Sequence, residues 1–192
     1  MPVRILEQSE VNEKAKSAKW LTCLIEAVIL GLAILLIAMV RLSWLEPAGV
    51  TSDSMENTLK VGEKFLVDHR KSLSGTWKRG DIVLIETVND QWGEDTLVKR
   101  VIALPGETVE VVGGQAMING KALKENYLKE AAEDEAVPPL VLGAGQYYVM
   151  GDNRNNSADS RQYGSVSNDE IRGRVTRKFW PMGKIPGANY SE

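Results

Sequence analysis

Ser52 and Ser54 stand two residues apart in Val50–Leu59, V-T-S-D-S-M-E-N-T-L. On a strand, residues i and i+2 face the same side, so both hydroxyls would serve one site. A serine hydroxyl is a weak nucleophile until a neighbouring base takes its proton. Histidine is the usual base, but the chain has one histidine, His69, beside Arg70 and Lys71 in a run that reads as surface. The other route is a lysine kept neutral by burial, because low dielectric disfavours the ammonium form. Lys99 is the candidate, embedded in Leu97–Ile102 (LVKRVI), although a lysine in a strand ordinarily points at solvent. A single histidine excludes metal or catalytic sites that need two, and one cysteine, Cys23, excludes a disulfide within the chain.

The serines follow an apolar run. Trp20–Val40 is apolar apart from Glu26 and the small polar Thr22. At helical rise it spans roughly 30 Å, the thickness of a bilayer core. Trp20 and Trp44 flank it, where amphipathic aromatics favour the interface. Arg4, Lys14, Lys16 and Lys19 precede the run, and only Arg41 directly follows it. The positive-inside rule then puts residues 1–19 in the cytoplasm as a polar tail, 20–40 across the membrane, and 41–192 outside. A cleaved leader would have a shorter apolar stretch and small residues at its exit; Met39-Val40-Arg41-Leu42 is a poor exit. A retained anchor is the expectation.

The 192 residues are 43% hydrophobic, which suits one domain plus a small appendage. The net charge of −3 gives no basic footprint for a nucleic-acid partner. From Ala48 onward the pattern is β. Lys64–Val67, Ile82–Ile85, Thr96–Ala103, Gln146–Met150 and Ile171–Phe179 read as strands. Glu107–Val112, Gln115–Ile118 and Lys121–Leu123 read as a meander joined by Gly113-Gly114 and Asn119-Gly120. Residues 124–137 (KENYLKEAAEDEAV) are a charged insertion, read as a short helix or a loop. The acidic Glu130–Glu135 stretch reads as a solvated face without calcium-ligand spacing, and Asp152–Asn156 lacks the glycine and glutamate of a calcium loop. Trp44, Leu45 and Trp77 are candidates for lipid contact, for core packing or for chance exposure.

Four motifs then occur in order: S-x-S-M-x-x-T-L (Ser52–Leu59), R-G-D-I-V (Arg79–Val83), K-R-V-I-A-L-P-G-E (Lys99–Glu107) and G-D-N-R-N-N-S-A-D-S-R (Gly151–Arg161). Behind a single span, and with Phe179-Trp180-Pro181 near the end, they resemble the conserved boxes of the bacterial type I signal peptidases over nearly the whole chain. The resemblance implies that Ser54 is the nucleophile and Lys99 the general base. It implies an oxyanion hole of the Ser52 hydroxyl and the Ser54 amide, although many Gram-positive relatives carry glycine at the first position. It implies that Ser157 hydrogen-bonds and orients the lysine, that Asp159 and Arg161 form a supporting pair, and that Gly151, Asp152 and Asn153 pack behind the site. One position departs from the pattern. The family usually has M-x-P-T-L, and Asn57 stands where the proline falls. Proline there stiffens the backbone; asparagine tolerates turns and caps.

The expectation is therefore a mainly β protein with antiparallel sheets and one N-terminal transmembrane helix. It would be a serine endopeptidase with a Ser–Lys dyad and neither metal nor cofactor. It would sit in the cytoplasmic membrane with its β domain on the outer face, and cut signal peptides of exported preproteins after small residues of the A-x-A type. Membrane lipid and, indirectly, the secretion translocon are the expected partners. The rival expectation is an inactive β domain, anchored in the same way, that binds exported peptides as an adaptor. A self-cleaving Ser–Lys repressor would need a DNA-binding module in place of the anchor, and the N-terminus has no helix-turn-helix pattern.

Overall fold

The computed structural model describes residues 3–42, 44–72, 75–89 and 93–185. The chain divides into two units, Met1–Ser43 and Trp44–Glu192. The first is one helix, α1 (Val3–Leu42), longer than the apolar run within it. Its stretch Lys19–Met39 has mean hydropathy 2.7 and is long and apolar enough to cross a membrane. Trp20, Leu24, Ile29, Leu36 and the other large side chains of this stretch are exposed, so the helix is apolar on every face.

The second unit is β. Its strands are β1 (Leu45–Gly49), β2 (Lys64–Asp68), β3 (Ile82–Asn89), β4 (Gly93–Ala103), β5 (Thr108–Val112), β6 (Gln115–Ile118), β7 (Lys121–Ala122), β8 (Val137–Val141), β9 (Gln146–Met150), β10 (Val166–Ser167), β11 (Ile171–Trp180) and β12 (Met182–Gly183). The larger sheet runs β1-β2-β11-β3-β4-β9-β10, with β12 on β11, and the smaller β7-β6-β5-β8. Every pairing is antiparallel. The only helix described in this unit besides single 3-10 turns is α2 (Ser160–Tyr163).

The apolar run Ile82–Ile85 explains why the larger sheet is central. Ile82 and Leu84 pack with Met55, Leu59, Phe65, Val67 and Val175. Val83 and Ile85 pack with Trp77, Val101, Val149 and Ile171. Alternate residues thus feed two cores, and both faces of β3 are covered. Trp77 belongs to that second core, only 3% exposed, so of its sequence readings packing is the one realised. A third core lies between the smaller sheet and β4 and β9, built from Ile102, Val109, Val111, Leu142, Tyr148 and Met150.

The smaller sheet follows its turn chemistry. Gly113 and Gly114 have φ of 57° and 74°, and Asn119 and Gly120 have φ of 50° and 73°, the paired positive φ that a two-residue hairpin turn requires. Residues 124–136 hold neither helix nor strand. Four strands were missed in the sequence reading: the two-residue β10 and β12, and two longer ones, β1 with Pro47 and β8 with Pro138 and Pro139. Both lie at sheet edges, where proline's missing N–H leaves no ladder bond unmade.

Candidate active site

Val50–Leu59 does not form the strand that the serine spacing invited. It is a succession of tight turns: Glu56 N donates to Asp53 O (2.9 Å), Thr58 N to Met55 O (3.0 Å) and Leu59 N to Met55 O (2.8 Å). The turns drop Met55 and Leu59, at i and i+4, into the core at 1% and 0% exposure. The two hydroxyls meet all the same, with Ser52 Oγ and Ser54 Oγ 3.3 Å apart.

Lys99 lies in β4 opposite Val83 of β3. It is 2% exposed, and Ser54 is 7% exposed. Lys99 Nζ donates to Ser54 Oγ at 2.8 Å. The central sheet strand and the turn after β1 therefore bring together two side chains 45 residues apart in sequence, and burial at that depth disfavours a charged amine.

The loop after β9 backs the serine. Asn153 N donates to Ser54 O (3.0 Å) and Asn153 Nδ2 to Asp53 O (3.1 Å), so the peptide on each side of Ser54 is gripped. Gly151 sits closer still. A β-carbon there would lie 2.5 Å from Ser54 O and nearer again to Ser157 Oγ. Gly151 N donates to Asp159 Oδ2 (2.9 Å). Asp159, fully buried, takes Arg161 Nε on Oδ1 (2.8 Å) and Nη2 on Oδ2 (3.0 Å). Burial pulls the Arg161 guanidinium down, but the bonds to Asp159 and the Glu135 charge outweigh it and hold it above its ordinary value. Ser157 Oγ is buried beside this loop and has no hydrogen-bond partner, so the bond to the lysine that the resemblance implied is not made in this structure.

A second layer centres on Arg100, which escaped the sequence reading, and on Asp152, which was expected behind the site. Arg100, the residue after Lys99, is fully buried, and Asp152 is 1% exposed. Arg100 Nε donates to Asp152 Oδ1 (2.8 Å) and Nη2 to Asp152 Oδ2 (2.7 Å). Arg100 Nη1 reaches Gly80 O (3.0 Å). Thr58 Oγ1, in the turn that carries Ser54, donates to Asp152 Oδ2 (2.5 Å). Asp152 thus ties the strand of Lys99 to the turn of Ser54. The signal was present in sequence as a second charged residue in an apolar strand, which demands a partner when buried. Residues 124–137 join the same layer: the Tyr127 ring lies over the Arg100 guanidinium at 4.0 Å, and Glu125 pairs with buried Arg154.

Beside Ser54 and Lys99 opens a recess of about 160 Å³, lined by Ala48, Gly49, Val50, Met55, Phe65, Leu84 and Val98 among others. It is mainly apolar and borders both Ser54 and Lys99. A larger polar hollow of about 590 Å³ lies at Glu133–Glu135, Arg154 and Arg161, but both arginines are already committed to carboxylates there. A buried hydroxyl, a buried amine in contact with it, a second hydroxyl and an adjoining apolar recess form an arrangement capable of acyl transfer at a peptide carbonyl flanked by a small, uncharged side chain.

The family described as signal peptidase, peptidase S26, matches residues 23–180. Signal peptidase I of Leptolyngbya laminosa is 37% identical over 161 residues, covering 81% of this chain and 79% of the relative. Signal peptidase I of Bacillus licheniformis is 35% identical over 192 residues, covering 93% of this chain and 97% of the relative. A crystal structure of a signal peptidase I from Enterococcus faecalis V583 superposes with TM-score 0.45 at 32% identity, over 53% of this chain and 97% of that one.

Proposed function

The chain belongs to the signal peptidase family, peptidase S26, and on that premise we propose that Ser54 and Lys99 are its reacting pair. The protein is a membrane-anchored serine endopeptidase that removes signal peptides from exported preproteins. The 2.8 Å contact between Lys99 Nζ and Ser54 Oγ, at a depth that disfavours the ammonium, carries the mechanistic reading.

Neutral Lys99 takes the Ser54 hydroxyl proton along the line of that contact, and Ser54 Oγ attacks the scissile carbonyl. The carbonyl oxygen becomes an oxyanion, met by the Ser54 amide and by the Ser52 hydroxyl turning away from Ser54 Oγ. The C–N bond breaks as the Lys99 ammonium gives its proton to the leaving amine. The signal peptide then remains as an ester on Ser54. Lys99, neutral again, deprotonates a water; the hydroxide attacks the ester, and the returning proton restores the Ser54 hydroxyl. Asp159, Arg161, Gly151, Asp152 and Asn153 hold the serine's backbone, and Ser157 orients the lysine during the cycle.

The apolar recess beside the pair accounts for a preference for small side chains such as those of an A-x-A leader. An extended peptide lies along the chain that borders it, with alternate side chains turned inward. The excess of Lys and Arg before the span favours a cytoplasmic N-terminus and a β unit on the outer face of the cytoplasmic membrane, where preproteins leave the translocon and lipid surrounds the anchor.

The test uses the full-length protein in detergent with a labelled preprotein. Ser54→Ala and Lys99→Ala are expected to abolish cleavage while keeping the wild-type melting temperature. Full activity in Lys99→Ala would remove the mechanism; binding without a cut by the wild-type chain would favour an adaptor.

A further inference from the structure

The turn that carries Ser54 passes through Asn57 at φ 85°, a left-handed conformation that asparagine adopts more readily than most residues. Proline cannot adopt it, because its ring fixes φ near about −65°. Asn57 therefore holds a backbone path that proline could not take. Its side chain fastens that path. Asn57 Nδ2 donates to Tyr127 O and to Leu128 O, each at 3.2 Å.

The segment it grips is anchored on its other side. The Tyr127 ring stands on Arg100 at 4.0 Å. Tyr127 Oη donates to Glu125 Oε1 (2.8 Å), and Lys129 N donates to Asp152 O (3.2 Å). Arg100 follows Lys99 directly in β4. A continuous chain of contacts thus runs from the third residue after the serine to the residue after the lysine, without passing through either.

We infer that Asn57 is a positioning residue for Ser54, and that Glu125–Lys129 is the brace through which it holds the serine's turn against the Lys99 strand. The inference rests on the reading of Ser54 and Lys99 as the reacting pair. It predicts an effect on the chemical step, because near-attack geometry is steep in distance: a misplacement of about 1 Å costs on the order of a hundredfold in rate.

The experiment measures kcat, KM and melting temperature of the full-length protein in detergent on one preprotein. Asn57→Gly keeps the positive φ and loses both donors. Asn57→Asp keeps the left-handed tolerance but turns carboxylate oxygens toward two carbonyls. Both are expected to lower kcat about tenfold or more, with KM and melting temperature close to wild type. Asn57→Pro is expected to lose more than either. Wild-type kcat in both the Gly and Asp variants, or full activity in Asn57→Pro, would overturn the inference. So would a fall in kcat that merely tracks a fall in melting temperature. Ser54→Ala and Lys99→Ala run alongside. If either stays active, the reacting pair is wrong; if both are dead while the Asn57 variants are normal, only the brace is wrong.

Discussion

Arg100 and Asp152 form a bidentate ion pair, 2.8 Å and 2.7 Å, with both side chains wholly out of solvent. The pair stands one residue from Lys99, and its carboxylate also receives Thr58 of the serine's turn. Two charges taken from water are tolerated because each has partners: Arg100 Nε and Nη2 and Thr58 Oγ1 donate to the Asp152 carboxylate, and Arg100 Nη1 donates to Gly80 O.

Breaking this pair is expected to unfold more than it inactivates. Asp152→Ala leaves a buried guanidinium unpaired, a defect worth roughly 3–5 kcal/mol. Denaturant titration in detergent, read by tryptophan fluorescence, should show a midpoint shift of that size. Asp152→Asn keeps one acceptor and should fall in between. A change below about 1 kcal/mol, the scale of an exposed pair, would mean that the contact is not buried in solution.

Ser157 offers a cleaner separation of stability from chemistry. Its hydroxyl is buried without a partner, so the folded state carries the desolvation cost of that group, about 1–3 kcal/mol. Ser157→Ala should leave the melting temperature unchanged or raise it. If the hydroxyl turns to Lys99 during the cycle, kcat should nonetheless fall. Wild-type kcat in this variant would refute the orienting role, and a lower melting temperature would show that the hydroxyl has a partner after all.

Acid should destabilise the β unit through two carboxylates. Arg70, bonded to both Asp68 oxygens (2.9 Å and 2.6 Å), holds the Asp68 carboxyl below its ordinary value against the opposing pull of burial. Burial pushes the Glu63 carboxyl up, but the Lys178 ammonium and the Lys60 amide outweigh it and hold it below. A carboxyl depressed in the folded state contributes stability above its unfolded pKa and loses it as pH falls through the folded one. Stability should be level near neutrality and decline once pH drops below about 4, the ordinary carboxylate range. Asp68→Asn with Glu63→Gln should lower stability at pH 7 and flatten the acid decline; an unchanged slope would place the acid sensitivity elsewhere.

What the sequence disclosed was local or carried by motif. Gly113-Gly114 and Asn119-Gly120 announce their turns because the requirement for positive φ lies within two residues. Ile82–Ile85 announces a buried strand because each residue is apolar. Ser54 and Lys99 were picked out through the order of the boxes, since nothing within a few residues of Lys99 tells a buried strand lysine from an exposed one. What was hidden depends on distant partners. The serine spacing fitted a strand, but Met55 and Leu59 gain more by turning into the core laid by Phe65 and Val175. The charged run 124–137 has no periodicity of its own; its course is set by Arg100, Arg154 and Arg161. The φ of Asn57 likewise answers to carbonyls 70 and 71 residues away.

The grip of Asn153 on the peptide beside Ser54 spans 100 residues. A ribosome therefore makes Ser54 early and the residue that fixes its backbone late, so the turn around Ser54 gains this support only once the stretch around Gly151 has been synthesised and has docked.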